Sequence, residues 1–414
     1  MGCGWGWGKK RRHQTGSEPK GKAAKPHTIE CGRARTWSLH IRARPGFTSR
    51  VKPRHLPLLP LLLMPVLTSL TAADSRSASA RPPGGLTPAQ APQFVLLGFD
   101  DNPDTGPMTW FVDYLQAKRN PAGSGKTGTF DGGQVRAIFY SNGKYWSDQS
   151  LVAIHRRALA EGHEIGNHTQ NHENGGRFAE EKWRAEMAAC MQTFADAGIP
   201  AEDMRGFRTP FLAYNAATFA AVAAEGFAYD SSIEEGEHAA QDGTNFLWPY
   251  TLGQGSPGNA TTFAPDSPKR VGSHPGLWEI PLHVFMIPSD ADCARHGVAP
   301  GLRARIGANL KQAYGAGSGE PAEKISGLDW NVLEAAKCDG PEFLAILKHT
   351  LDLRLAGNRA PLMVGGHTAL YPADKPDRRK AMEEFIAYAL SKPGVRFVTG
   401  RQLLEWMRQP QALR

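Results

Sequence analysis

Short apolar runs alternate along this chain with segments whose apolar residues recur every three to five positions, and the alternation begins at Gln93. The runs predict strands at residues 94–99, 136–140, 164–167, 205–208, 227–230, 277–284, 361–365 and 395–399. Between them the helical period predicts a helix over 151–161, closed by Gly162, and another through Phe178, Trp183, Met187, Cys190 and Phe194, stopped by Gly198 and Pro200. A third, over 216–225, takes Asn215 as its N-cap and Gly226 as its C-cap. Further helices are expected over 341–356, 378–391 and 402–408.

About eight βα units in roughly 320 residues describe one α/β domain with a parallel sheet, and a distorted (β/α) barrel is favoured over an open sheet. Residues 234–276 and 286–330 break the rhythm with Gly, Pro, Ser and Thr. They are expected to be long excursions on the face that carries the site. No internal repeat is present.

Composition narrows the class. With 414 residues, 41% of them hydrophobic and 21% charged, the chain is not a disordered, collagen-like or polytopic membrane protein. Its formal charge of +8 suggests nucleic acid only until it is divided along the chain. The first 55 residues hold 14 Lys and Arg against Glu18 and Glu30, so the body is mildly acidic and no nucleic-acid partner is expected.

After the basic stretch, a proline-broken apolar run of about a dozen residues (His55-Leu-Pro-Leu-Leu-Pro-Leu-Leu-Leu-Met-Pro-Val-Leu) leads to the small residues Thr71-Ala-Ala and Ala78-Ser-Ala80. This pattern predicts a secretory signal peptide cleaved near residues 73–80, a secreted or periplasmic protein, and no stable membrane insertion. The long stretch upstream suggests a true translation start near Val51. The expected organisation is a basic leader with signal peptide over 1–80, a linker over 81–92 and a folded domain over 93–408. Of the five cysteines, Cys190 fits a helix core position, and Cys293 and Cys338 are expected to pair in an oxidising compartment.

The chemistry lies at the downstream ends of the predicted strands, which share one face in an α/β barrel. Phe94-Val-Leu-Leu-Gly-Phe99 ends in Asp100-Asp101-Asn102, the strand at Glu164 runs into His168-Thr-Gln-Asn-His172, and two others end at Arg208 and at His367. Asp101 with His168 and His172 makes a two-histidine, one-carboxylate set suited to a divalent metal with open positions. Asp100, beside that set and braced by Arg208, is placed to take a proton, with His367 as partner acid. Asp230 is expected either to orient Arg208 or to cap the next turn. The same ligands also fit a facial triad for non-haem Fe(II), but an Asp beside the ligand and the Arg-x-Pro-Phe run favour hydrolysis.

Together these motifs resemble the polysaccharide deacetylases of the NodB-homology type, carbohydrate esterase family four, over about residues 93–408. Phe99-Asp-Asp101 resembles the first family motif, and His168-Thr-Gln-Asn-His172 its H-[ST]-x-x-H metal motif. Arg208-Thr-Pro210-Phe211 resembles R-x-P-[FY], and His367 stands at the late catalytic histidine. The stretches Phe246-Leu-Trp-Pro-Tyr-Thr251, Leu277-Trp-Glu-Ile-Pro281, Asn358-Arg-Ala-Pro361 and 398–410 are similar to the chitin-deacetylase branch.

The resemblance implies Asp100 as base, Arg208 as its brace, His367 as acid, and Asp101, His168 and His172 as ligands of Zn²⁺ or another divalent ion such as Co²⁺. It further implies the Phe211 backbone N–H as an oxyanion donor. The activity it implies is removal of N-acetyl groups from a chitin-like or peptidoglycan-like glycan, with an O-acetyl glycan esterase or a non-catalytic glycan-binding protein as alternatives. Trp248, Tyr250, Trp278 and Tyr371 are candidates to stack on sugar rings. Asn102 departs from the usual Gly after the Asp pair, and Val364-Gly-Gly-His lacks the Leu often found two residues before the histidine.

Overall fold

The computed structural model describes residues 74–315 and 322–414; the basic leader and signal peptide, and the start near Val51, lie outside the described residues. Its strands are β1 (Gln93–Asp101), β2 (Ile138–Ser141), β3 (Glu164–Asn167), β4 (Gly206–Phe207), β5 (Tyr229–Asp230), β6 (Glu234–Glu235) and β7 (Tyr250–Thr251). Further along come β8 (Trp278–Glu279), β9 (Leu282–His283), β10 (Phe285–Met286), β11 (Lys324–Ile325), β12 (Leu362–His367) and β13 (Val395–Phe397). Nine of them form one sheet in the order β12-β1-β2-β3-β4-β5-β8-β7, with β13 also paired to β1. All of its pairings are parallel except that of β7 with β8. The expected α/β architecture is present as a curled half-barrel, whose ladder does not run on from β7 to β12.

The central strand shows why the sheet curls around a filled interior. Val95, Leu97 and Phe99 pack with the surrounding helices, whereas Phe94 and Leu96 pack inward with Tyr140, Tyr229 and Trp406. A strand buried on both faces reads as the nearly continuous apolar run seen in the sequence. Successive side chains alternate in direction, so Gly98 and Asp100 continue the inward row of Phe94 and Leu96. Parallel register then aligns the strand ends, with Asp100 opposite both His367 and Tyr140, and Asp101 opposite Ser141.

The helices start where capping chemistry allows. Asn215 and Thr218 exchange hydrogen bonds at the start of Ala216–Ala224, as do Asp339 and Glu342 at Gly340–Ala356, and Thr399 and Gln402 at Gly400–Arg408.

Four expectations change. The excursion 286–330 contains two helices, Asp290–His296 and Leu302–Tyr314. The second buries Leu302, Ile306 and Leu310, a four-residue period diluted by Gly and Ala. The run 277–284 is not one strand but β8 and β9, separated at Pro281, whose ring removes a backbone donor.

Residues 74–92, expected to be leader and linker, are packed against the domain. Trp248 N donates to Ser79 O at 2.9 Å, Arg76 N to Thr251 Oγ1 at 2.9 Å, Trp278 Nε1 to Asp74 Oδ2 at 2.8 Å, and Arg359 Nη1 to Ala91 O at 2.8 Å. Cys190, Cys293 and Cys338 are each free and buried, so the expected Cys293–Cys338 disulfide is not formed.

Candidate active site

At the end of β1 the chain must point two consecutive carboxylates at different partners. Asp101 has φ of 66° and Asn102 of 51°, a left-handed conformation that breaks strand alternation. Asn102 stabilises this turn: its amide donates to Phe99 O at 2.9 Å, Tyr140 O at 3.2 Å and Ser141 Oγ at 3.0 Å, while its oxygen accepts from Thr368 Oγ1 at 3.1 Å. A glycine could adopt the φ but make none of these bonds, which accounts for Asn at this position.

The turn sends the two carboxylates to separate tasks. Asp101 Oδ1 lies 2.9 Å from His172 Nε2 and 3.5 Å from His168 Nε2, and Asn142 Nδ2 donates to it at 3.4 Å. One ligand atom from each of Asp101, His168 and His172 falls within 4.8 Å of the others, and among the described residues no other group of three or more His, Cys, Asp or Glu side chains does so. His168 Nδ1 is 2.8 Å from Arg208 O; a proton donated there leaves Nε2 as a lone pair aimed at the cluster.

Burial depresses the His168 imidazole to about 4, so the ring is neutral as a ligand must be. Burial works to raise the Asp101 carboxyl, but the hydrogen bond to His172 and the surrounding imidazoles outweigh it and hold Asp101 below the ordinary carboxylate range. An anionic oxygen and two imidazole nitrogens, converging inside a partly buried cleft, fit a divalent ion of the zinc or cobalt type.

Asp100 is almost fully buried and accepts from Arg208 Nη1 at 2.8 Å. Arg208, wholly buried, donates through Nε to Ser231 O at 2.8 Å and through Nη2 to Ser231 Oγ at 3.0 Å. Ser231 therefore orients the guanidinium directly, and Asp230 takes the second of its two expected places. Asp230 caps the following turn, accepting from Ser232 N at 3.2 Å and Ser232 Oγ at 2.7 Å, and burial pushes its carboxyl up to about 7.

Opposite Asp100, His367 ends β12. Its Nδ1 lies 2.8 Å from Asp329 Oδ1, and its backbone N–H donates to Asp329 Oδ2 at 3.0 Å. Burial alone would depress this imidazole, but the hydrogen bond and charge of Asp329, with Asp100 and Asp101 beyond, push it up to about 9. Asp329 was not legible in the sequence, because it follows no apolar strand. It reaches β12 only through an isolated bridge between Leu328 and Gly365.

The aromatic residues divide differently from expectation. Trp248, Tyr250 and Tyr371 are fully buried and Trp278 is nearly so, which removes all four as sugar platforms. Trp248 instead stacks on Trp406 in the barrel interior, and Tyr371 packs beside Trp110 and Phe111. Among the described residues the exposed large hydrophobic side chains are Phe211 and Tyr145. Phe211, at φ of 60° just after the buried Pro210, sets its ring 4.6 Å from that of His172. Tyr145 follows Asn142 and Gly143, whose N–H donates to Thr169 O of the His168–His172 loop at 3.1 Å.

Residues 87–229 match the family model described as polysaccharide deacetylase. The chain is similar to chitin deacetylase 1 of Bombyx mori, 25% identical over 341 residues that cover 80% of this chain and 54% of the relative. It is also similar to chitin deacetylase 8 of Bombyx mori, 29% identical over 223 residues, 50% of this chain and 51% of the relative. It thus spans about half the length of these curated relatives. A solved structure from Mycobacterium smegmatis, provisionally named a polysaccharide deacetylase, is 18% identical, with 80% of this chain and 95% of that one covered and a TM-score of 0.46. From its motifs and these matches, the chain is similar to the polysaccharide deacetylases of the NodB-homology type, the chitin deacetylases among them.

Proposed function

We propose that this protein is an exported, metal-dependent hydrolase that removes N-acetyl groups from a chitin-like or peptidoglycan-like amino-sugar polymer or oligomer, releasing acetate. The observation that carries the proposal is the pairing of Asp100 with Arg208 beside the convergent Asp101, His168 and His172, with the Asp329-held His367 facing Asp100 across the β1–β12 register. No helix among the described residues is long and apolar enough to cross a membrane. Export rests on the leader pattern alone.

Asp101, His168 and His172 would hold the ion, which supplies a Lewis acid and lowers the pKa of water from 15.7 towards about 7. Asp100 takes the proton of the attacking water, and the Arg208 hydrogen bond aims its carboxylate. The resemblance of Arg208-Thr-Pro210-Phe211 to the R-x-P-[FY] motif supports the Phe211 backbone N–H as oxyanion donor. His367, protonated at neutral pH by its tie to Asp329, gives its proton to the leaving amine. Phe211 and Tyr145 supply exposed rings near the cleft for sugar faces.

Acetate release should be measured on chitin oligomers, peptidoglycan fragments and acetylated xylan, with metal-free enzyme, metal-loaded enzyme and Asp100→Asn. Release from the first two substrates by loaded enzyme, lost in the variant with metal still bound, is the expected result. Release from xylan alone would show an O-acetyl esterase. Glycan binding without release would show a non-catalytic protein.

A further inference from the structure

Beneath the Asp100–Arg208 pair the barrel interior holds a column of buried polar aromatic groups that the proposed chemistry does not use. The Arg208 guanidinium carbon lies 4.2 Å from the centroid of the Tyr140 ring. The Tyr140 hydroxyl is 3.3 Å from that of Tyr229, which donates to Glu164 Oε1 at 2.8 Å, and Glu164 Oε2 accepts from Arg401 N at 3.0 Å, at the first turn of Gly400–Arg408. Arg208, Tyr140 and Tyr229 are all wholly buried.

Glycines on the sheet make room for this column. A Cβ at Gly166 would stand 2.5 Å from Tyr140 Cδ1, one at Gly206 2.3 Å from Tyr229 Cζ, and one at Gly98 3.2 Å from Tyr140 Cε2 and 3.4 Å from Arg208 Nη1. The Tyr140 ring is therefore held edge-on between β1 and β3, with one face under the guanidinium.

We propose that Tyr140 is a positioning residue for the Arg208–Asp100 pair and that it acts through the face of its ring rather than through its hydroxyl. The proposal rests on the deacetylase reading above. Arg208 directs its donors at Asp100 and at Ser231, on opposite sides, and needs support against its flat face that consumes no N–H. An aromatic face supplies this, because its negative quadrupole attracts the cation and a buried site leaves no water to compete. The hydroxyl end, occupied by Tyr229, fixes the tilt of the ring from below.

The test replaces Tyr140 by Phe and, by site-specific incorporation, by trifluoro- and pentafluorophenylalanine. These keep the ring's shape while removing and then reversing its negative face. In the deacetylase assay kcat should stay within about twofold for Phe and fall about tenfold for the pentafluoro ring, with KM and Zn²⁺ affinity unchanged. Hydrogen exchange of the Arg208 side-chain N–H groups, read by ¹⁵N NMR, should accelerate in the same order, about tenfold at the end of the series. Equal kcat and equal exchange across the series would overturn the proposal. If the wild-type protein releases no acetate from any substrate, the functional reading fails by itself, and the exchange rates still decide whether the ring braces Arg208.

Discussion

Asp329 grips His367 at two points, its Oδ1 2.8 Å from the ring Nδ1 and its Oδ2 accepting from the backbone N–H at 3.0 Å. One carboxylate thereby sets both the orientation of the ring and its affinity for a proton, although nothing in the local sequence links residue 329 to the end of a strand 38 positions away.

Because His367 is pushed up to about 9, it is a charged acid over the neutral range, and activity that depends on it should fall as pH rises through about 9. Asp329→Asn should move that basic limb down towards the ordinary histidine value of about 6.5. His367→Ala should lower kcat by about 10² to 10⁴. The same pairing contributes stability that is complete below about 6.5 and lost as pH rises through about 9, so unfolding midpoints of wild type and Asp329→Asn should converge at alkaline pH. A basic limb that does not move in Asp329→Asn rules out this role.

Removal of metal should destabilise the fold through the ligands alone. Zn²⁺ at about 100 times its Kd should stabilise the chelator-treated protein by about 2.7 kcal/mol, measured as a rise in Tm. Asp101→Ala and His172→Ala should abolish that rise and Asp100→Asn should keep it. Equal responses in Asp101→Ala and wild type would remove Asp101 from the ligand set.

Tyr145→Ala should raise KM for acetylated oligomers severalfold while leaving kcat on a small acetyl ester unchanged, because the ring is exposed and, among the described residues, makes no contact with the Asp100, Asp101, His168, His172 and His367 side chains. Steady-state kinetics on the two substrates separates these effects. A loss confined to the small ester would contradict it.

Gly166→Ala should cost about 1–3 kcal/mol in urea unfolding, since the added methyl meets the Tyr140 ring at 2.5 Å inside a filled interior. Gly106→Ala is the control. It lies in the helix Thr105–Gln116 with nothing within 4 Å of the added Cβ, and should be neutral or stabilising by up to about 1 kcal/mol.

What the sequence determined by itself was most of what contiguous runs carry, the run 277–284, broken at Pro281, being the exception. β1 and β12 extend beyond their apolar runs by a residue or two, because parallel strands buried on both faces need unbroken apolar stretches. For the same reason Asp100, Asp101, Arg208 and His367 were legible: each stands at or just beyond the downstream end of such a run, where parallel register brings strand ends together.

Only the tertiary structure decided which neighbours those groups have. Asp329 reaches His367, Ser231 rather than Asp230 holds Arg208, and Tyr140 lies beneath the guanidinium, through contacts across the barrel that leave no periodic trace in the chain. It also decided burial. Trp248 and Tyr371 carry the residue types of a sugar platform, yet Trp248 packs against Trp406 in the interior and Tyr371 against Trp110 and Phe111 in the helix layer, whereas Tyr145 and Phe211 stay exposed. Residue type limits what a side chain can do, and only packing settles whether water or a ligand can reach it.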